Sequence, residues 1–263
     1  MTYIGNEENP FGEKIKKKVV FCTPSYTRPV PEYLESLEKC LPLIEQAGWE
    51  HGFAQQVGCP YISAARANMT RAALDVNPAA IVYIDSDMSW TPQAMLKLLE
   101  TDGEVVAGTY RCKIDDEQYM GTIYSHKETD CPCGESPCNG ILGTPVVRAD
   151  GAIKAVLVPA GFLKVSIAAI DKFMVAYPEL CYGPMYHQAV DLFNHGVRDR
   201  IWWGEDYSFS RRWREKCGDI WIVPDLDLDH CPAGKVYKGN FHEFLLRQPG
   251  GSKSQEVLAC QNG

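Results

Sequence analysis

The chain has 263 residues, 45% hydrophobic and 23% charged, the balance of a globular protein able to bury a sizeable core without a metal or disulfide staple. A formal net charge of −8 speaks against a protein built mainly to grip nucleic acid, although a local basic groove remains compatible with it. An acidic balance also suits carboxylates gathered around a divalent cation. The eleven cysteines are scattered, several in apolar runs (Cys22, Cys40, Cys217), and read as small buried hydrophobes of a reducing compartment.

Residues 1–17 read as a flexible leader, polar and then basic with Lys14, Lys16, Lys17 and Lys18. It lacks the apolar stretch of a signal peptide, and no run in the chain approaches the roughly 20 apolar residues of a membrane span. The expectation is a cytoplasmic protein without a membrane partner. Val19–Cys22 predicts a first strand, stopped by a Thr23-Pro24-Ser25 loop. Leu34, Leu37, Leu41 and Ile44 recur at helical spacing over 32–47, and Gly48 ends that helix. A strand is expected over Trp49–Gln56. A helix over Ala64–Leu74 follows, with Ser63 as its cap. Ala80–Ile84 is continuously apolar, as a central strand buried on both faces should be, and it runs into Asp85-Ser86-Asp87. A helix over Pro92–Leu99 and a strand over Glu104–Tyr110 complete four strand–helix alternations. That pattern predicts a mainly parallel sheet flanked by helices, with ligands at the carboxyl ends of the strands.

Residues 111–152 change character, being polar and rich in Gly and Cys. Cys131, Cys133 and Cys138, with Cys112 or His126 upstream, form a candidate structural Zn²⁺ set, but the C-x-C-x4-C spacing is not that of a standard knuckle and free thiols are the alternative. Regular structure resumes with a strand over Ala155–Val158, a helix over Ile167–Phe173, an irregular aromatic stretch over 177–200, a helix over Glu205–Lys216 and a strand over Asp219–Val223; residues 251–263 read as a flexible tail.

Two carboxylates one residue apart after a buried strand can share one cation. Hard oxygen ligands suit Mg²⁺ or Mn²⁺, which neutralises a diphosphate. Asp85 and Asp87 are therefore metal candidates. Downstream, Gly204-Glu205-Asp206 opens a helix, where acidic residues also suit the dipole. After the next strand come Asp225, Asp227, Asp229 and His230, and the His230 imidazole is a candidate further metal ligand. Trp202 and Trp203 offer flat faces for a sugar or base, with core packing as the alternative for one of them.

Taken in order, Thr23–Ser25, Ala65–Asn68, Asp85–Asp87, Ala160–Leu163, Gly204–Asp206 and His230 make the chain resemble a GT-A glycosyltransferase of the family 2-like group over roughly residues 18–232. Residues 102–113 are also similar to glycosyltransferases carried by bacteriophages and large viruses, in which case the host cytoplasm is the setting. The resemblance implies a single GT-A domain over 18–250, with a nucleotide-binding half (18–110), a Cys-rich insertion (111–152) and an acceptor-side half (153–250). It implies a nucleotide-sugar donor, UDP-linked by default, and Mn²⁺ or Mg²⁺. Thr23, Pro24, Ser25 and Tyr26 would line the base and ribose. Arg66 and Asn68 would approach the diphosphate or donor sugar, with Ser86 and Trp203 also at the donor. Asp85 would touch the ribose or the metal, Asp87 and His230 would bind metal, Asp206 would be the general base and Glu205 would position the acceptor.

Direct attack assisted by Asp206 implies inversion of the anomeric centre. The viral likeness adds hydroxymethylated pyrimidine in DNA to the possible acceptors, beside glycans and proteins. Such DNA would call on Lys14, Lys16–Lys18, Arg111, Lys113, Arg198 and Arg200 for phosphate contacts. A nucleotidyltransferase is disfavoured because the first strand runs into Thr-Pro-Ser-Tyr rather than a glycine-rich phosphate loop.

Overall fold

A computed structural model describes residues 17–123, 140–141, 145–232 and 234–248. The leader up to residue 16, the tail, and the zinc candidates Cys131, Cys133 and Cys138, with His126, lie outside these described residues. Cys112 lies within them, half-buried, its thiol directed at the Met120 sulfur at 3.5 Å.

The first half alternates as expected. It comprises β1 (Lys17–Ser25), α1 (Pro31–Gln46), β2 (Trp49–Val57), α2 (Ile62–Leu74), β3 (Ala80–Ile84), the short β4 (Met88–Trp90), α3 (Pro92–Glu100) and β5 (Val105–Ala107). β1 begins at Lys17 and continues through Thr23-Pro24-Ser25, which pair in parallel with Gln55, Gln56 and Val57 instead of forming a loop. Proline is tolerated there because β3 pairs with β1 only as far as Cys22, so Pro24 needs no second ladder. Ser63 falls inside the first turn of α2 instead of capping it; Tyr61 holds the cap position without a side-chain bond. α3 is capped by the Thr91 hydroxyl, which accepts from the Ala94 amide at 3.3 Å.

The second half comprises β6 (Thr122–Ile123), β7 (Gly140–Ile141), β8 (Ile153–Leu157), β9 (Phe162–Ser166) and α4 (Ile167–Ala176). The two-residue strands β10 (Cys181–Tyr182) and β11 (Ala189–Val190) follow, then the hairpin β12 (Gly196–Arg198)–β13 (Ile201–Trp203). The chain continues with α5 (Glu205–Lys216), β14 (Ile220–Ile222), β15 (Leu228–His230) and α6 (Phe241–Arg247). Nine strands form one mixed sheet in the order β2-β1-β3-β9-β5-β14-β8-β6-β7. Seven run in one direction, while β8 and β9 run against them. The mixed, mainly co-directional α/β sheet expected from the sequence is therefore present, with β9 as the departure from simple alternation.

Strict side-chain alternation splits the core in two. Val19, Phe21, Val82 and Ile84 face α1 and α3, packing on Tyr33, Ile44, Met95 and Leu98. Val20, Cys22, Ile81 and Tyr83 face the other layer, with Met69 of α2, Ile170 and Phe173 of α4, and Phe209 and Trp213 of α5. Fully burying a side chain of this size contributes about 1.5–3 kcal/mol, so both layers are fixed independently of any ligand. The carboxyl ends of β1, β3 and β5 thereby become a rigid rim.

Candidate functional site

β3 is buried along its whole length and ends at Ile84, so the chain emerges from the sheet with Asp85 at the rim. The Asp85 amide donates to the Gly161 carbonyl (3.1 Å), which ties the motif to the start of β9. Gly161 is glycine for a steric reason: a Cβ there would overlap the Tyr110 hydroxyl and stand 2.6 Å from Asp85 Oδ2.

Arg66 of α2, 1% exposed, reaches across this rim. One guanidinium nitrogen donates to Asp85 Oδ1 (2.8 Å) and another to Glu205 Oε1 (2.9 Å), while the group lies 5.0 Å from the Phe193 ring centroid. Burial works against its charge, but Asp85, Glu205 and Asp206 outweigh burial and hold its pKa above the ordinary arginine value. Arg66 thus braces two carboxylate motifs 120 positions apart in sequence. Both terminal nitrogens of the sealed guanidinium are taken by carboxylates, while its Nε is buried without a protein partner. Asn68, two residues on, is exposed and donates to the Gln56 side chain (3.3 Å) instead of facing the carboxylates.

The second station is Asp87. The antiparallel pairing of β4 with β15 sets His230 opposite Met88, and so brings the imidazole Nε2 to 3.5 Å from Asp87 Oδ2. His230 is buried, stacks edge-on to Tyr110 (5.0 Å), and its Nδ1 lies 2.8 Å from the Arg111 carbonyl. A carbonyl only accepts, so Nδ1 carries the proton, and in the neutral ring Nε2 then presents a lone pair. In that neutral form Nε2 and Oδ2, 3.5 Å apart, are both acceptors, a pair that a cation can bridge. The half-exposed Lys113 ammonium, 2.7 Å from Asp87, supplies one positive charge at that position. Burial pushes the Asp87 carboxyl up, but Lys113 and His230 in its protonated form prevail and leave it at about 2.

Of the metal candidates read from the sequence, Asp85 is paired through Oδ1 with Arg66, and Asp87 lies beside His230 and Lys113. Among the described residues no three His, Cys, Asp or Glu side chains are grouped to hold a metal. Asp225, Asp227 and Asp229 point elsewhere, to Lys97, to Asn240 and to the Gly239 amide. The donor chemistry of Asp87 and His230, one hard oxygen and one imidazole nitrogen, nevertheless fits a divalent ion completed by water and phosphate oxygens.

The third station is the N-terminus of α5. Glu205 is neutralised by Arg66, while Asp206 Oδ1 accepts from the Tyr207 amide (2.8 Å). Burial first, then the Glu205 charge, pushes the Asp206 carboxyl from 3.8 up to about 7, with Arg66 opposing. Tyr110 sits among these groups. Burial and the charges of Asp85, Asp206 and Asp87 raise its pKa, so its hydroxyl keeps its proton. Sequence reasoning missed Tyr110 as a site residue. Its signal was its place beyond a buried strand on the same rim.

At the expected base-binding loop, Thr23 is turned inward and its hydroxyl pairs with Tyr33 Oη (2.5 Å). Both border a cavity of about 160 Å³ with Phe21, Leu37 and Phe53. Ser25 Oγ is buried without a protein partner, and Tyr26 is 75% exposed at the strand end. Ser86 lends its carbonyl to the Val30 amide (2.9 Å). Trp203, expected at the donor, is buried against Leu157 and Tyr207, with its indole N–H directed to the Arg198 carbonyl (3.3 Å); Trp202 is the exposed one, at 65%.

No protein-family model matches the chain, and no curated protein matches it. Among solved structures, A197 from STIV is similar over 85% of this chain and 94% of its own, with 12% identity and a TM-score of 0.45. A glycosyltransferase involved in the glycosylation of the major capsid of PBCV-1 is similar over 62% and 66%, with 10% identity and a TM-score of 0.31. S. aureus TarS 1-349 is similar over 92% and 69%, with 14% identity and a TM-score of 0.36. At this degree of likeness the functional reading rests on the geometry of the rim itself.

Proposed function

We propose that the protein is a divalent-metal-dependent glycosyltransferase that moves a sugar from a nucleotide-sugar donor to an acceptor hydroxyl, with Asp206 as the general base. The observation that carries this reading is the meeting of Asp85, Asp87, Glu205, Asp206 and His230 around Arg66 and Tyr110 on one rim. Four carboxylates there face two cations, the buried Arg66 and the half-exposed Lys113, an excess of negative charge that attracts a further cation.

Asp87 and His230 would hold the metal, which when bound supplies positive charge to a diphosphate leaving group. Lys113, long and half-exposed, would swing aside and keep its ammonium near the phosphates. The nucleoside would lie at the carboxyl ends of β1 and β3, where the buried Ser25 hydroxyl, Tyr26 and Ser86 are found; UDP is the donor base to test first. Tyr110 would donate a hydrogen bond into the reaction space. Arg66 would hold Asp85 and Glu205 in register without touching substrate. Because Glu205 is spent on Arg66, Asp206 is left to take the acceptor proton, and its raised pKa suits a base working near neutrality. Attack aided by such a base proceeds with inversion, which NMR of the first-formed product anomer reads directly; a retained anomer would remove Asp206 from that role.

Donor turnover with Mn²⁺ is the primary test. Metal-dependent cleavage of a UDP-sugar is expected, and Asp87→Ala should abolish it; undiminished turnover in that variant overturns the reading. Hydroxymethylated DNA is the acceptor to add first. Stimulation of turnover identifies a nucleic-acid acceptor, and none directs the search to glycans and proteins.

A further inference from the structure

A basic cavity lies further along α5, away from the carboxylate rim. Arg211, Arg214 and Glu215 share one helix face by their i, i+3, i+4 spacing, and the β12–β13 hairpin folds over that face to add Arg198. These four side chains line a cavity of about 310 Å³. Three guanidiniums face one carboxylate in the lining and a second, Asp199, paired with Arg211 at its edge, which leaves the cavity net positive on a chain whose net charge is −8.

The arginine forks are held in place before any ligand arrives. Arg211 is stacked 4.6 Å from the buried Trp203 ring and paired with Asp199; Arg198 Nη2 reaches both Glu215 oxygens at 2.8 Å; Arg214 extends toward the Val156 carbonyl at 3.5 Å. Burial lowers the Arg214 pKa, a sign of a guanidinium partly stripped of water. Fixed, partly desolvated guanidiniums in a concave space are the chemistry of bidentate phosphate recognition.

We infer that the Arg198–Arg211–Arg214 cavity is a phosphate-binding subsite, and that it takes a phosphate group of the acceptor. The anion site stands on the cavity alone; that its phosphate belongs to the acceptor rests on the sugar-transfer reading. α5 links the two places, since Asp206 lies in its first turn and Arg211 and Arg214 follow about 7 and 12 Å along its axis. One rigid helix thus sets the spacing between the base and the phosphate. Glu215 acts in this arrangement as an internal competitor that occupies Arg198 until phosphate displaces it.

The test titrates full-length protein with inorganic phosphate at constant ionic strength, followed by calorimetry and ³¹P NMR, with chloride as the control anion. Saturable binding is expected, weakened about tenfold by Arg198→Gln and by Arg214→Gln, the scale of one lost charge-assisted bond. Glu215→Gln should tighten binding by freeing Arg198. That opposite sign separates the proposal from mere damage to the fold, which only weakens binding. An oligothymidylate that competes with phosphate identifies a diester backbone as the source, and one that does not identifies a terminal phosphate; either supports the subsite. Absence of saturable phosphate binding, or binding indifferent to both arginine substitutions, overturns it. If phosphate binds as described but the protein cleaves no donor, the sugar-transfer reading fails and the subsite remains.

Discussion

Asp206 stands where two effects oppose each other. The dipole of α5 favours a charged first turn by ~0.3–1 kcal/mol, yet burial and Glu205 carry the carboxyl up to about 7. Desolvation wins, and the sign of the pH dependence follows. A carboxyl whose folded pKa exceeds its unfolded value gives stability at low pH that is lost as pH rises from about 4 to about 7. Asp206→Asn removes that penalty. Its melting temperature should exceed that of the parent protein at pH 8 and converge with it near pH 4, a gain of about 1–2 kcal/mol once partial access to water is allowed for. The same variant should lose about 10²–10⁴-fold in kcat. In the parent, kcat should rise with pH through about 7; a flat profile excludes Asp206 as the base.

Arg66 behaves in the opposite sense. Removing it leaves Asp85 and Glu205 repelling each other beside Asp206. Arg66→Met should therefore cost about 3 kcal/mol, read by chemical denaturation. Arg66→Lys should recover only part of that, since an ammonium cannot fork to two carboxylates. Equal stability of the two variants would show that the brace is a matter of volume rather than of charge geometry.

At the level of elements, the rim depends on how β9 enters the sheet. Its first residue follows Gly161, and a methyl group at that position has no space between Tyr110 and Asp85. Gly161→Ala should leave the far-ultraviolet circular dichroism intact while displacing Asp85 and cutting donor turnover at least as severely as Asp87→Ala; normal turnover would separate Gly161 from the site.

β9 is also where the sequence was least legible. Alternating strands and helices announced β1, β2, β3 and β5 with their helices, because long apolar runs and 3.6-residue periods are local signals. β9 has five residues and carries Lys164 in its middle, which breaks the apolar pattern. Its ammonium is satisfied by the carbonyls of Leu99 and Thr101 at the end of α3, a tertiary fact that no local pattern announces. The three-residue β4 and β15 were equally silent, yet their pairing is what delivers His230 to Asp87. The residue types of the site were legible as motifs, and α5 was placed over its full length. Hidden were the contacts within the site, namely that Arg66 pairs with both Asp85 and Glu205 and that Trp202, not Trp203, is exposed, since these follow from pairing register and burial.

For the whole molecule, an acidic chain with a cation-seeking rim should couple metal binding to global stability. Mn²⁺ together with UDP at about 100 times Kd should add ~2.7 kcal/mol, which for a chain of this size raises Tm by roughly 5–11 °C. UDP alone should give less, and Asp87→Ala should remove the synergy. Equal shifts with and without metal would argue against the Asp87–His230 pair as its site. Among the described residues no helix is long and apolar enough to cross a membrane.

The sheet order also dictates when this protein can exist. β3 and β5 are not neighbours; β9 separates them, and β14 covers the other side of β5. A nascent chain that has emerged only as far as residue 110 holds one edge-paired trio and an orphan strand. The ribosome must release residues 162–166 before the aspartate strand acquires its second flank, and residues 220–222 before β5 is enclosed. Maturation is thus gated by the late arrival of two short segments, and truncations that end before them should yield chains captured by chaperones rather than half-sized working domains.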